Sequence, residues 1–465
     1  METIEQSRVP TAMPPSIMVA EKKPRNDLFP ATARMVKLGP VNAIENSQAM
    51  TFCFTPNANE VVFPHRLRIV NQFQVVSGDN NARIDIKDAV IPVNGLSHAF
   101  FKSCNVKLGQ GYLITKNDSL YAHRGDMENK LKLTYEQKIN AHSSQKGWDQ
   151  EEVDFSTIRK DDLPLPLNPD EQKDEEKVAK FKKLTEKYPT YFRRNQKIHD
   201  GNMWEETSPI FADICQQEKP FLPGVKVQFI FQMQDNQRLL ILGTENDAAK
   251  FKVRLVSSYL LVQYEPMPQE FLDRGIPSTF TYNTTRVEMN NETRPGGSSM
   301  INIPNPIPGN RLPRRVTMCM IKESAFHGHT KQDPFWYTDF NVDSVALRVS
   351  GQNKPMPVLY MNRYDGDCGQ PLFALQKAWG WEDSIFHRGI TLKNFKKGNC
   401  LFSWNFAGNE EQPGQTTEVP KWENINIEVK FKDSLDEAVT ILTMIEYDQE
   451  ILCDLIEGKF TPHDL

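Results

Sequence analysis

Residues 225–234 read Val-Lys-Val-Gln-Phe-Ile-Phe-Gln-Met-Gln. Val225, Val227, Phe229, Phe231 and Met233 take alternate positions, with Lys226, Gln228, Gln232 and Gln234 between them; only Ile230 breaks the rule. Successive side chains of an extended chain point to opposite faces. This spelling therefore predicts a strand with one buried face, as in an antiparallel sheet. A second candidate strand, Phe251–Tyr264, follows, and then Pro266-Met267-Pro268, where we expect a domain to end.

The same alternation recurs on both sides. Upstream, Phe52 and Phe54 alternate with Thr51, Cys53 and Thr55, Leu67 and Ile69 with Arg66 and Arg68, Ile84 and Ile86 with Arg83, Asp85 and Lys87, and Val106 and Leu108 with Asn105 and Lys107. Downstream, Val316, Met318 and Met320 alternate with Thr317 and Cys319, Val345, Leu347 and Val349 with Ala346 and Arg348, and Ile425, Ile427, Val429 and Phe431 with Asn426, Glu428, Lys430 and Lys432. A last apolar strand runs from Val439 to about Ile445. Short strands at such spacing predict an all-β chain of two tandem sandwiches. The strands starting at 225 and 425 share one design, and each precedes another apolar strand. We expect them to be equivalent, with Phe229 and Val429 each pointing into its own core.

Three stretches depart from this style. Residues 1–44, with prolines and scattered Lys22, Lys23, Arg25, Arg34 and Lys37 but no apolar period, read as an extended N-terminal arm. Residues 144–220 read as a long insertion in a first domain spanning 45–265; within it, Val178, Phe181, Leu184 and Tyr188 stand at helical spacing in a charged run. The second domain spans 266–465. Helical spacing otherwise occurs only near Tyr121–Tyr135 and Pro371–Trp379.

The chain's 465 residues suffice for two or three domains. With 31 Pro and 27 Phe it suits a β-rich chain with long ordered loops better than a helical bundle. A formal net charge of −5 argues against a whole surface that attracts nucleic acid, though not against a local basic patch. The cysteines, at 53, 104, 215, 319, 368, 400 and 453, are odd in number and form no Cys-x-x-Cys, which argues against a disulfide framework or a structural zinc site. The opening METIEQSRVP lacks the basic-then-apolar order of a signal peptide, and no stretch approaches the roughly 20 apolar residues of a membrane span. A chain kept in a reducing compartment is expected, with the sequons at Asn117, Asn283 and Asn291 left unmodified.

Candidate sites are sparse. The chain has no GxGxxG, no phosphate-binding loop and no GxSxG, so we expect neither catalytic residues nor a cofactor. His327-Gly328-His329 lacks a companion helical His pair, and its glycine points to a loop rather than a metal site. Tyr364-Asp365-Gly366-Asp367-Cys368-Gly369 lacks the spaced oxygens and distal Glu of a calcium loop and reads as a turn. Arg124-Gly125-Asp126 spells an integrin-binding tripeptide, but it sits where a helix begins, ahead of Met127, Leu131 and Tyr135. Tyr191, Phe192, Arg193 and Arg194 read as a surface or interface cluster rather than a nucleic-acid contact.

One stretch goes beyond generic β structure. It runs Pro92-Val93-Asn94-Gly95-Leu96-Ser97-His98-Ala99-Phe100-Phe101, then Asn105-Val106-Lys107-Leu108-Gly109, then Tyr121-Ala122-His123-Arg124 with Glu128 and Leu131. The order of a Pro-x-Asn turn, a His-x-x-Phe, a V-x-L strand and a Tyr-x-x-Arg-x-x-x-Glu helix resembles the major capsid proteins of Polinton (Maverick) elements and related DNA viruses. Ala325-Phe326-His327-Gly328 followed by Asp333-Pro334-Phe335, and Gly398-Asn399-Cys400-Leu401-Phe402, resemble further family segments. The family positions are then Pro92, Asn94, His98, Phe101, Val106, Leu108, Tyr121, Arg124, Glu128, Phe326, Gly328, Pro334 and Phe335. Ser97 stands where the family usually has Leu, Gly109-Gln110 where it often has Asn-Gly, and 144–220 has no counterpart.

The resemblance implies two eight-stranded jelly rolls per chain, with no enzymatic activity. It implies a homotrimer forming a pseudo-hexagonal block, which tiles an icosahedral shell through inter-trimer contacts. The implied partners are a penton or minor capsid protein and packaged DNA touched by the arm, with no membrane span. The implied location is the virion, with synthesis in the host cytoplasm and assembly there or in the nucleus. The 144–220 segment and loops of the second half are expected to form an outer tower. Two other readings of a double sandwich stay open: a lectin-like binding module, and an enzyme such as a glycosidase, which needs paired carboxylates in one cleft. Oligomer size in solution separates them.

Overall fold

The computed structural model describes residues 33–464 apart from 43–47, 79–80, 86–87, 116–118, 143–146, 150–152, 160–161, 199–200, 243–249, 268–274, 307–311, 362–367, 383, 385–386 and 408–422. The first half holds β1 (Arg34–Leu38), β2 (Ala49–Phe54), β3 (Glu60–Val62), β4 (Arg68–Ser77), β5 (Val90–Pro92), β6 (Phe101–Leu108), β7 (Tyr112–Thr115), β8 (Met203–Pro209), β9 (Val227–Met233), β10 (Leu240–Leu242) and β11 (Phe251–Pro266). The second half holds β12 (Thr279–Arg294), β13 (Met300–Pro304), β14 (Arg315–Lys322), β15 (Val342–Val349), β16 (Gln352–Asn353), β17 (Leu359–Tyr360), β18 (Leu401–Asn405), β19 (Ile425–Phe431), β20 (Val439–Asp454) and β21 (Lys459–Asp464).

Pairing sorts these strands into two sandwiches of one design. In the first, β1-β11-β4-β8 form one sheet and β2-β9-β6-β7 the other, with β3 added to β11 and a short β5/β10 ladder beside them. In the second, β12-β20-β14-β18 and β13-β19-β15-β16 repeat those orders, with β21 added to β20 and β17 to β15. Strands distant in sequence interleave in each sheet, which is jelly-roll topology. The fold is all-β: two tandem jelly rolls, each with eight strands on its two sheet paths, plus short helices.

This order makes β9 the counterpart of β19, and β11 the counterpart of β20. Phe229 and Val429 are both fully buried, in separate cores, as the spacing predicts. β9 lies between β2 and β6, with Phe229 opposite both Phe52 and Val106. The rings of Phe101 and Phe231 lie 4.7 Å apart and those of Phe52 and Phe231 6.0 Å apart. Each buried Phe contributes about 1.5–3 kcal/mol relative to an exposed one.

Alternation fails as a guide where both faces of a sheet are covered. β14 is buried along almost its whole length, and so is β20 from Val439 to Gln449. The outer face of their sheet carries Thr317 of β14, Ser403 of the neighbouring β18 and Glu446 of β20, roofed by the helix Gly369–Ala378 and the residues after it. Trp379 Nε1 donates to Ser403 Oγ at 3.1 Å. The guanidinium of Arg315 lies 3.9 Å above the Trp379 ring and 3.0 Å from Glu446 Oε2.

Other expectations need revision. Residues 83–85 form no ladder: Arg83 makes an isolated bridge to Val76, and Ile84 packs with Val75, Val90 and Ile198; Ile86 and Lys87 lie outside the described residues. Part of the expected arm, Arg34–Leu38, is β1, paired with β11. The segment 144–220 contains β8, which pairs with β4 inside the first sandwich. It also holds a helix Glu175–Lys187, where the spacing predicts one, and a second, Pro189–Ile198. The first helix has no buried residue; the second buries Tyr191, Arg194, Asn195 and Ile198. The Tyr191–Arg194 cluster is thus half interior. Arg194 donates to the carbonyl of Pro92 at 3.1 Å and covers the Phe155 ring, so its long stem and flat head fill the core while its charge stays hydrogen-bonded. Residues 364–367 of the candidate turn and the sequon at Asn117 lie outside the described residues. Among the described residues, no helix is long and apolar enough to cross a membrane.

Candidate functional site

With short helices numbered in order, α1 (Leu96–Ala99) and α2 (Tyr121–Lys132) follow β5 and β6–β7. The sequence of α2, Tyr-Ala-His-Arg-Gly-Asp-Met-Glu-Asn-Lys-Leu-Lys, is polar on every side, which ordinarily marks a solvated helix. Every residue from Tyr121 to Leu131 is nevertheless buried. Tyr121 and Ala122 belong to the core of the first sandwich, while Leu120, Met127 and Leu131 belong to that of the second. The helix is a key set between the two.

Its charges are neutralised largely within one turn. Arg124 Nε lies 2.7 Å from Glu128 Oε1, Lys130 Nζ 3.0 Å from Asp126 Oδ2, and Lys132 Nζ 3.1 Å from Glu128 Oε2, all at i,i+4. The remaining bonds reach outward into both halves. Arg124 Nη1 meets Asp213 Oδ1 at 2.8 Å, and that same oxygen accepts from the backbone N–H of Val287 at 3.3 Å. Lys130 Nζ donates to the carbonyls of Phe335 at 2.7 Å and Gly398 at 3.0 Å. Trp148 Nε1 donates to Asp126 Oδ1 at 2.9 Å. Lys138 Nζ donates to the carbonyls of Lys130 and Arg388, at 2.8 and 2.5 Å.

Burial sets the protonation states. It opposes the charge on Glu128, but Lys132 and Arg124 outweigh it and hold the carboxyl at about 2. It opposes the charge on Arg124 too, and Asp213 and Glu128 more than restore it. Lys138 has the carbonyls of Lys130 and Arg388 and, 5.6 Å away, the face of the Trp148 ring; burial, together with the nearby Lys130, brings it down to about 7. His123 is pushed down to about 3, mainly by burial.

The imidazole of His123 is held by rings. Phe326, in α5 (Glu323–His327), stacks on it with centroids 5.4 Å apart, and Phe335 meets it edge-on at 5.3 Å. Phe335 also lies 6.1 Å from His98, whose ring meets Phe211 at 5.5 Å. A water-sized cavity lined by Ala99, Ala122, His123, Arg238, Pro334 and Phe335 lies beside this row.

Most family-pattern residues converge here. His98, Tyr121, Arg124, Glu128, Phe326, Pro334 and Phe335 line the junction. Tyr121 Oη accepts from the Phe211 N–H at 3.1 Å, and the Phe101 ring lies 6.5 Å from that of Tyr121. Gly328 has φ +94°, and a Cβ there would stand 2.8 Å from Arg238 Cγ and 2.9 Å from the Gln237 carbonyl. Asn94 exchanges two hydrogen bonds with the backbone of Asp149, at 2.7 and 2.8 Å, while Pro92 sits in β5. Val106 and Leu108 stand apart from the junction, in the first core. Lys130, Trp148, Lys138 and Asp213 are not legible as site residues in the sequence; Asp126 enters there only through the Arg124-Gly125-Asp126 tripeptide, and His123 only within the quoted family stretch. The available signal was the run of opposite charges at i,i+4 in α2.

The Arg124-Gly125-Asp126 tripeptide is not on display: Arg124 and Asp126 have no exposure, and Gly125 lies against His98 and Phe211. His327 is the last residue of α5 and Gly328 caps that helix, so the glycine ends a helix rather than lying within a loop; His327 and His329 are both exposed. Among the described residues, no three His, Cys, Asp or Glu side chains are grouped as metal ligands. The arrangement fixes the orientation of two domains, and its buried ion pairs suit registry rather than catalysis.

No family model and no curated protein sequence matches the chain. Solved structures do. The cryo-EM structure of the Sputnik virophage matches with a TM-score of 0.59 at 8% identity, over 100% of this chain and 94% of that one. The PBCV-1 virus capsid matches at 0.54 and 10% identity, over 92% and 96%. The mavirus major capsid protein matches at 0.51 and 12% identity, over 100% and 96%. The chain has the fold of viral capsid proteins. Both jelly rolls, and hence the junction between them, lie within the aligned length.

Proposed function

We propose that this chain is a major capsid protein, a structural subunit without catalytic chemistry. Three copies make a pseudo-hexagonal block, and blocks tile an icosahedral shell. The observation that carries this reading is the rigid duplication: two jelly rolls of identical strand order, keyed together by α2, give a trimer six similar corners. We further assign the chain to the Polinton/Maverick branch, on the family-pattern residues gathered at the junction. We take 34–265, which extends the expected 45–265 to include β1, and 266–465 as the two rolls, and residues before β1 as the arm that meets neighbours or packaged DNA. A penton or minor capsid protein completes the shell in the virion.

The test is the state of the purified chain. Sedimentation should give a homotrimer at micromolar concentration, with each interface burying more than about 1,000 Å². Electron microscopy should show particles of near-hexagonal outline. A monomer at that concentration, or a dimer, would sink the proposal.

A further inference from the structure

The junction between the jelly rolls contains an ionisable group that the static fold does not need. His123 is buried, its Nδ1 has no hydrogen-bond partner among the described residues, and its ring is clasped by Phe326 of the second core and by Phe335, a second-half residue packed in the first core. The groups facing it are mostly cationic. Lys130 and Asp126 come from its own helix, His98 from α1, and Arg238 from the turn Asn236–Arg238. Arg238 also lies 5.2 Å above the Phe326 ring, on the cavity side. The clasp itself offers only ring carbon. Asp126 is the one acid in this set, and Lys130 and Trp148 already engage it.

We propose that α2 is an acid-releasable key: protonation of His123 expels it from its aromatic slot and unseats the second sandwich from the first. A proton here adds a cation beside Arg238 and Lys130 with no protein acceptor at Nδ1 among the described residues, in a buried site where an unpaired charge is costly. Outside the junction most of each core belongs to one sandwich, although Tyr282, Ile451, Cys453 and Phe460 of the second half pack with the first core; acid therefore loosens the junction before it unfolds the rolls. Burial, then Arg238, Lys130 and His98, hold the folded imidazole near 3, whereas an exposed one titrates at 6.5. Stability from this group is therefore complete above pH 6.5 and is lost as pH falls toward 3.

Hydrogen exchange of the full chain tests this. After correction for the chemical exchange rate, opening of the α2 amides should rise about thirtyfold between pH 7.5 and pH 5, ahead of the β9 and β19 amides. His123→Phe keeps a ring in the slot and removes the proton site; its rise should stay below about threefold. His123→Leu, a second variant without the proton site, should likewise stay below about threefold, and decides the matter if the first variant fails to fold. The proposal is overturned if wild-type α2 opens no faster in acid, if both sandwiches open together with it, or if the soluble variants keep the full thirtyfold rise.

Discussion

Lys130 Nζ donates to the carbonyl oxygen of Phe335, 2.7 Å away in space and 205 residues on in the chain. One ammonium thus ties a helix of the first half to a loop of the second, and it neutralises Asp126 as it does so. Replacing it leaves a buried carboxylate without its counter-cation, still held by Trp148, and takes a donor from two carbonyls. Lys130→Met should cost roughly 3–5 kcal/mol, read from denaturant midpoints. A loss below about 1 kcal/mol would show that the pair contributes no more than a surface salt bridge.

The Arg124–Glu128–Asp213 group makes a separate prediction. Arg124→Met removes the cation shared by two buried acids and should destabilise by about 3–5 kcal/mol. Adding Glu128→Leu and Asp213→Asn removes those charges and should restore most of the loss, because the three residues act as a unit. Additive losses across the series would rule out this coupling.

Gly328 is required by its backbone. Its φ of +94° and the closeness of Gln237 leave no room for a methyl group. Gly328→Ala should cost about 1–3 kcal/mol, read from thermal unfolding. Gly297, at φ +87° with nothing near its Cβ position, should lose less on the same change. Equal losses would mean that conformation alone, and not the contact with the first sandwich, sets the cost.

Lys138 gives a pH dependence whose sign follows from linkage. Its folded pKa, about 7, lies below the ordinary 10.5, so the unfolded chain binds more protons between those values. The group therefore penalises folding fully below pH 7, and the penalty shrinks as pH rises toward 10.5. Lys138→Met should remove this slope. Between pH 7 and 9, wild type should gain stability relative to the variant, and parallel curves for the two proteins would refute the assignment.

Deletions should distinguish the arm from the sheet. Removing residues 1–32 leaves β1 and its five pairs with β11 intact. Removing residues 1–40 uncovers the edge at Leu260–Tyr264, and should lower the melting temperature by several degrees relative to the shorter deletion. Identical melting curves would make β1 dispensable.

What the sequence revealed and what it concealed have the same physical cause. Phe229 and Val429 were legible because their strands have one covered face, so burial writes itself as alternation. β14 and β20 are covered on both faces, and their polar residues point into a roof of Trp379 and its neighbours rather than into water. The true role of α2 was hidden for a related reason. A helix that supplies its own counter-charges at i,i+4 looks like a solvated one, and only Asp213, Phe335 and Gly398, distant in sequence, show that it is interior. Arg194 misled in the same way, since a guanidinium satisfied by the Pro92 carbonyl spells a surface residue.

The key helix also sets a schedule for synthesis. Lys130 leaves the ribosome 205 residues before the carbonyl it must reach, a delay of about 10–40 s at ordinary elongation rates of roughly 5–20 residues per second. During that interval Met127 and Leu131, whose cover is the second sandwich, have nothing native to pack on. The nascent chain thus carries an unfilled apolar seat through nearly half of its translation. Chaperone engagement, or premature pairing with another nascent copy, should concentrate at this helix rather than at the sheets that close around it.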